Sequence, residues 1–421
     1  MKYLAAIFIL FVFTINVSAQ TGGDTVQISL NQLIESGIKT NSKLEPVELA
    51  RKIELIKSEQ NNKQPMPMFE FMLDYIPLDF MTKPEYGAFY SQRLMLPGKL
   101  EQNELSGQVK SRRQEIEKDR IRIDITRQIK LNYYALYYYE KLLLFNDEYQ
   151  KIMKNIIKSL EASYASGMGN QSGILKMNNE LQMMVLEQIE FEQTKKTYIN
   201  NLSLYSNISL PENFKTENIN PSLLYSADLD SSKLAGIIIA NNPEFRLIDN
   251  MLEETRIQRN IAGLEKVPDI TLTGGVKYMA KEPMSYLSFT IGIDLPFMPW
   301  NARKINSMIE ETNVMELQSL SMRKSALQYM KSELQNMLIM IKTVNQKIQY
   351  IRDIFIPQVR QTFNSSLASY SSGAGEFMNL LDSFRKMREA DMMLIKEETD
   401  LLKQTGELEF LLGKQITVNN Q

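Results

Sequence analysis

The sequence predicts an α+β protein, exported and built from two internal repeats in which short strands carry very long helices. Three observations point there. The chain opens on an apolar leader, "MKYLAAIFILFVFTINVSAQ". Nine residues at Ala162 to Asn170, "ASYASGMGN", return 206 positions later at Ala368 to Glu376 as "ASYSSGAGE". Two pairs of segments with strict apolar and polar alternation are each followed by a polar, helix-prone run far longer than a compact domain holds.

The leader carries Lys2, an apolar run from Leu4 to Phe13 and the small pair Ser18 and Ala19, the pattern of a signal peptide cut near Ala19. Gln20, not Cys, follows the expected cut, so lipid attachment there is not indicated. Hydrophobic residues make up 43% and charged residues 23%, with a formal net charge of −2, so nothing favours nucleic acid as a partner. The chain holds no Cys and no His, which excludes disulfides, imidazole or thiolate metal sites, and Ser/His or Cys/His nucleophiles. No uninterrupted apolar stretch after the leader reaches the ~18 residues of a spanning helix. An exported chain of this kind is either soluble or inserted as a barrel.

The elements come in two sets. Asn41 and Asn242 each open a helix-like stretch that ends at Pro67 and Pro268. A strand follows in each copy, with Phe69, Phe71, Leu73 and Tyr75 on one face, and Ile270, Leu272, Val276 and Tyr278 in the second copy. A further strand runs over "AFYSQRLMLP" from Ala88 and "LSFTIGIDLP" from Leu287, closing on Leu96-Pro97 and Leu295-Pro296; Gln92 interrupts the apolar face in the first copy. The connectors "IPLDFMTKPEYG" and "MAKEPMSY" read as loops. From about Gly98 to Ala165, and again from Asn301 to Leu367, the pattern predicts one helix of about 68 residues, roughly 100 Å long. Met153, Ile157, Leu160 and Tyr164 step along it at nearly the 3.5 period of a coiled coil.

The repeated nonapeptide ends each long helix. Its glycines, Gly167 with Gly169 and Gly373 with Gly375, permit the reversal into the next helix. Shorter helices of about 35 residues, Leu30 to Gln64 and Ser172 to Ser206, laid end to end match one long helix. Four such columns form a curved wall too thin to bury both faces, which must close by oligomerisation. The expected division is a leader at 1–19, a first repeat at 20–208, a linker at 209–232, a second repeat at 233–415 and a tail at 416–421.

From about Leu30 to Lys414 this order and spacing resembles the TolC-like outer-membrane efflux protein family. The resemblance implies a homotrimer in which three chains give four strands each to one 12-stranded β-barrel, continued by a long periplasmic α-helical barrel. It implies a passive exit duct of a tripartite efflux or type I secretion-like system, with an inner-membrane pump, a periplasmic adaptor (membrane fusion) protein and outer-membrane lipid as partners. In the family the hairpin turns meet the adaptor, often through Val-Gly-Leu; here the triplets are Ser166-Gly167-Met168 and Ser372-Gly373-Ala374. The implied docking tips are therefore Gly167, Met168, Gly169, Gly373, Ala374 and Gly375. The family's second tip often carries acidic residues six and nine places after its Gly. This chain has Asn379 and Asp382 there, so Asp382 is the candidate pore gate, with a solvated surface Asp as the alternative. Lys176 and Gly173 hold the matching places of the first repeat.

Other signals are weaker. Met residues number 25, with groups at Met66, Met68 and Met72 and at Met392 and Met393. Packing explains them better than Cu(I) or Ag(I) cargo. The tyrosines Tyr133, Tyr134, Tyr137, Tyr138 and Tyr139 read as helix packing. Ser321-Met322-Arg323-Lys324 fits Ser-x-x-Lys without the companion motifs, so no enzyme, cofactor or catalytic residue is expected. The rival reading is a soluble periplasmic coiled-coil scaffold or adaptor, which would have no use for a lipid-sized apolar face.

Overall fold

A computed structural model describes residues 28–74, 85–167, 171–219, 231–279 and 284–415. The leader, the tail, Tyr75 with most of the first strand connector, residues 280–283 of the second and residues 220–230 of the expected linker lie outside the described residues. The first repeat comprises α1 (Leu30–Thr40), α2 (Leu44–Asn61), β1 (Met68–Asp74), β2 (Glu85–Leu94), α3 (Pro97–Ala165) and α4 (Gln171–Ser206). The second comprises α5 (Ser231–Asn241), α6 (Pro243–Leu264), β3 (Ile270–Met279), β4 (Met284–Ile293), α7 (Pro299–Tyr350), a π turn (Ile351–Phe355), α8 (Ile356–Ser371) and α9 (Phe377–Leu412). The internal duplication is thus visible element by element.

The strands form one antiparallel sheet in the order β1-β2-β3-β4. Its register brings the apolar faces into one plane: Phe69 pairs with Tyr90, Tyr90 with Gly274 and Gly274 with Phe289; Phe71 pairs with Ala88, Ala88 with Val276 and Val276 with Leu287. Nothing among the described residues covers that face, since Phe71 is 82% and Leu287 91% exposed. Gln92, the interruption, lies opposite Leu272 at the helical end, where its amide donates to the Pro65 carbonyl at 2.9 Å. The other face is polar and ion-paired. Buried Asp269 accepts from Lys99 at 2.8 Å and from Arg93 at 2.8 Å, and Arg93 also reaches Asp294.

Proline starts both long helices. Pro97 and Pro299 occupy the first turn, where a missing N–H leaves no hydrogen bond unmade. The 69-residue α3 runs unbroken. The second long helix does not. It changes to a π turn at Ile351–Phe355 just before Pro357, because a proline ring cannot sit against the carbonyl one turn earlier and a widened turn moves that carbonyl aside. The single helix expected from Asn301 to Leu367 is therefore α7, the π turn and α8.

The helix expected over Leu30 to Gln64 is likewise two helices, parted at Asn41. Ser29 and Gln32 form a reciprocal cap at the start of α1. Asn41 then leaves helical geometry; its side chain accepts from the Lys43 amide at 3.1 Å and donates to the Tyr205 carbonyl at 3.0 Å. Asn242 does the same in the second repeat, capping α6 through Glu244 and Phe245 and donating to the Leu411 carbonyl at 2.8 Å. Each Asn fastens the foot of one short helix, α2 or α6, to the top of another, α4 or α9. The two short helices do share a column.

Toward the strands the helices stand in the row α2, α3, α6, α7; toward the tips the row is α4, α3, α9, α8. Helix α3 is central in both. Among the described residues three apolar cores lie along the length: one near the tips around Met153, Met177, Phe363 and Phe384; one around α1, with Leu33, Ile129 and Tyr133; and one around α5, with Ile238, Phe245 and Leu408. Met153, Met177 and Met184 are fully buried packing residues, whereas Met66 and Met68 are exposed. Tyr133 is fully buried, and burial pushes its phenol up to about 12 while its oxygen accepts the Glu217 amide at 2.8 Å. Tyr137 donates to the Ile219 carbonyl, so the tyrosine group packs α3 and ties down residues 217–219. Among the described residues, no helix is long and apolar enough to cross a membrane.

Candidate functional site

The two tips are built alike from the duplicated letters. At the end of α3 the Gly167 amide donates to the Tyr164 carbonyl at 3.0 Å and the Ser166 hydroxyl to the Ser163 carbonyl at 2.9 Å. At the end of α8 the Gly373 amide donates to the Tyr370 carbonyl at 3.0 Å and the Ser372 hydroxyl to the Ser369 carbonyl at 2.9 Å. Serine thus satisfies carbonyls that the ending helix leaves open, and glycine takes the left-handed conformation, with φ of +82° at Gly167 and +76° at Gly373. The Ala374 and Gly375 amides both donate to the Ser369 carbonyl. Met168 and Gly169 lie outside the described residues. Among the described residues, no atom beyond the immediate chain neighbours lies within 4 Å of where a side chain would begin at Gly167 or Gly373.

Asp382 sits on α9 beyond the second tip. Its side chain is 63% exposed and pairs with Lys386 on the same helix at 3.0 Å.

Just above the tips lies a buried polar cluster that the sequence reading did not single out. The Tyr149 hydroxyl of α3 donates to the Asp391 carboxylate of α9, which also accepts from Arg360 of α8 at 3.1 Å. Burial, with the carboxylate beside it, pushes the Tyr149 phenol far up, so it stays a neutral donor. The signal was present: Phe384, Met387, Asp391 and Ile395 follow one apolar stripe, and a carboxylate in that stripe needs partners. A second set joins α4 to α9. Arg385 donates to Glu180 at 3.0 Å, and Arg388 contacts Glu187. Burial lowers the Arg388 pKa from its ordinary value. Phe377 lies against Gly173, where an added side-chain carbon would stand only 3.1 Å from the ring.

Residues 234–414 match the family described as Outer membrane efflux protein. No curated protein matches the chain in sequence. Among solved structures the chain is similar to CusC, at TM-score 0.78 and 16% identity, covering 93% of each chain. It is similar to the outer membrane protein VceC of Vibrio cholerae at TM-score 0.75 and 13% identity, covering 92% of this chain and 96% of that one. It is also similar to the MtrE outer membrane channel of Neisseria gonorrhoeae at TM-score 0.73 and 16% identity, covering 93% and 90%. At these identities the likeness carries the fold.

Proposed function

We propose, for a chain with the TolC-like outer-membrane channel fold and an outer membrane efflux protein match over its second repeat, that it is the passive exit duct of an envelope-spanning efflux or secretion system, gated at the hairpin tips by a periplasmic adaptor. The chain resides in the outer membrane and extends into the periplasm. The observation that carries the duct reading is the sheet: four strands with a bare apolar face and two unpaired edges, β1 and β4. In lipid such edges must be paired, and four strands cannot close on themselves. Three copies closing β4 onto the next β1 give a 12-stranded barrel.

The helices support the same closure. The two ends of the upper row both expose apolar stripes, Leu49, Ile53 and Ile56 on α2 and Val314, Leu317 and Tyr329 on α7. Helix α2 climbs toward the strands and α7 descends from them, so the α7 of one copy meets the α2 of the next antiparallel, as neighbours within the wall do. The contact is head-to-tail, which generates a ring. A soluble scaffold would hold Phe71 and Leu287 in water for no return.

In this reading the open turns at Gly167 and Gly373 dock the adaptor, with Met168, Gly169, Ala374 and Gly375 around them. Asp382 stands near the narrow end, and an inner-membrane pump supplies the energy. Detergent extraction of membranes followed by mass measurement should give a trimer that conducts ions in planar bilayers; a soluble monomer ends the proposal. Gly373→Pro, or a bulky residue at Gly167, should weaken efflux at unchanged membrane abundance. Wild-type efflux in both variants would remove the docking assignment.

A further inference from the structure

In a ring of three the polar face of the sheet lines a water-filled lumen, and one residue on that face departs from its chemistry. Phe89 is the one phenylalanine there among the described residues, set between Glu70 on β1 and Gly275 on β3, with Ser288 beyond on β4. It does not stand off the sheet. Phe71, on the opposite face, is 82% exposed, whereas Phe89 is half-buried although the sheet is a single layer.

Two glycines account for the difference. Gly87 lies on the same face, two residues before Phe89, and is buried, which on a single-layer sheet means that a neighbouring side chain covers it. A side-chain carbon at Gly87 would stand 2.6 Å from Phe89 Cε2 and 3.2 Å from its Cζ, and one at Gly275 would stand 2.5 Å from its Cδ1. The ring therefore lies flat across both glycines. Neither has the positive φ that would otherwise call for glycine. Glycine inside a strand weakens it and marks a close approach, and an aromatic ring laid over it restores packing. Gly87 and Gly275 thus form a recess that holds one ring.

Side chains on a strand ordinarily stand roughly perpendicular to the sheet, so without the recess Phe89 would point toward the barrel axis, and its two symmetry copies with it. We infer that Phe89 sets the size limit of the barrel lumen. Folded flat into the recess, three copies leave room for bulky cargo; a side chain placed in the recess turns the rings inward and restricts the barrel to small solutes. The inference rests on the duct reading and adds the size class of what passes. Gly87 is the position that tests it, because the atoms in the way there are the ends of the Phe89 and Met72 side chains, which can move. At Gly275 the Ala88 carbonyl oxygen also stands in the way, and it is held by the strand.

The chain has no Cys, so a single thiol can be placed in the lumen. Thr290→Cys puts one at an exposed position on the same face, nearer the helices than Phe89. Cells are treated from outside with two membrane-impermeant reagents, a small sulfonated methanethiosulfonate and a maleimide on a polyethylene glycol chain. Rates are read by labelling the remaining thiols after denaturation. The parent should react with both. Gly87→Val should slow the bulky reagent at least ten-fold and the small one by less than about two-fold, and adding Phe89→Ala should return the bulky rate to within about two-fold of the parent. Phe89→Ala alone should leave both rates within about two-fold. If Gly87→Val does not reach the membrane, Gly87→Ala carries the same test with at least a three-fold slowing, since its one added carbon already meets the ring. An unchanged bulky rate in the Gly87 variant, a slowing that Phe89→Ala does not relieve, a faster bulky rate in Phe89→Ala alone, or a parent that admits only the small reagent overturns the inference. Failure of both Gly87 variants to insert, even with Phe89→Ala, overturns it too, because the glycine then serves strand pairing and not the ring. A membrane-inserted parent that reacts with neither reagent shows that the face lines no lumen, and the duct reading itself fails.

Discussion

The two long helices perform the same task and are built differently. Helix α3 runs 69 residues without a break and is flanked by neighbours on both sides along its length. It buries Ile125, Ile129, Tyr133 and Leu136 in one stretch and Met153, Ile157 and Leu160 in another. The second long helix is broken at Pro357 and leaves Val314, Leu317, Tyr329, Ile339 and Tyr350 exposed. One is the centre of a wall and the other its edge. A duplicated sequence has thus divided its labour: the central copy is shaped by burial within the chain, and the edge copy keeps its apolar residues for a neighbour.

Truncation should test that contrast most strongly. Ile129→Ala removes a fully buried side chain from α3 and should lower unfolding stability in detergent by about 2–4 kcal/mol. Leu317→Ala, at a residue 66% exposed in the chain, should leave the dissociated monomer within about 0.5 kcal/mol of wild type and shift the trimer to lower thermal stability. Equal losses in the monomer would erase the distinction between centre and edge.

A middle-sized effect is expected where the two regions meet. Asp391→Ala leaves the Tyr149 hydroxyl only the Met387 carbonyl at 3.4 Å and frees Arg360, which should cost about 1–3 kcal/mol in chemical denaturation. Tyr149→Phe should cost less than Asp391→Ala, because Arg360 keeps its partner. The reverse order would show that the carboxylate is held by something other than this cluster.

The break itself should be adjustable. Pro357→Ala restores a backbone donor beside the π turn and should slow hydrogen exchange over residues 349–357 several-fold, with a gain of about 1 kcal/mol or less. No change in exchange would mean that packing, not proline, maintains the wide turn.

The smallest effect concerns charge on the central helix. The Arg51 and Lys118 cations hold the Glu48 carboxyl down at about 2, tying α2 to α3. A carboxyl lowered in the folded state stabilises above its unfolded pKa of about 4.3 and loses that contribution as pH falls toward 2. The α2–α3 contact should therefore loosen only below about pH 4, and Glu48→Gln should abolish that acid step in a carboxyl-resolved NMR titration. An unchanged step assigns it elsewhere.

Much of the fold could be read from residues. Alternation at Phe69 to Leu73 and Leu287 to Ile293 marked the strands, and the repeated Tyr-x-Ser-Gly marked the tips, because both rest on local periodicity and turn chemistry. Helix boundaries were harder. The split at Asn41 depends on a carbonyl 164 residues away at Tyr205, and the π turn depends on how Pro357 is accommodated. Of the site, the glycines were legible, since a positive φ announces itself in the sequence. The Asp391 cluster and the α4–α9 ion pairs were not, because their partners come from helices that no local pattern brings together.

The sequence by itself determined the duplication, the period of every element and the need for a partner surface, since these follow from backbone geometry and from apolar residues that must leave water. The tertiary structure alone decided which copy lies at the centre and which at the edge. It also decided which charges meet across the hairpins, because that depends on the order in which near-identical helices stand side by side, and two repeats of similar pattern could have been arranged either way.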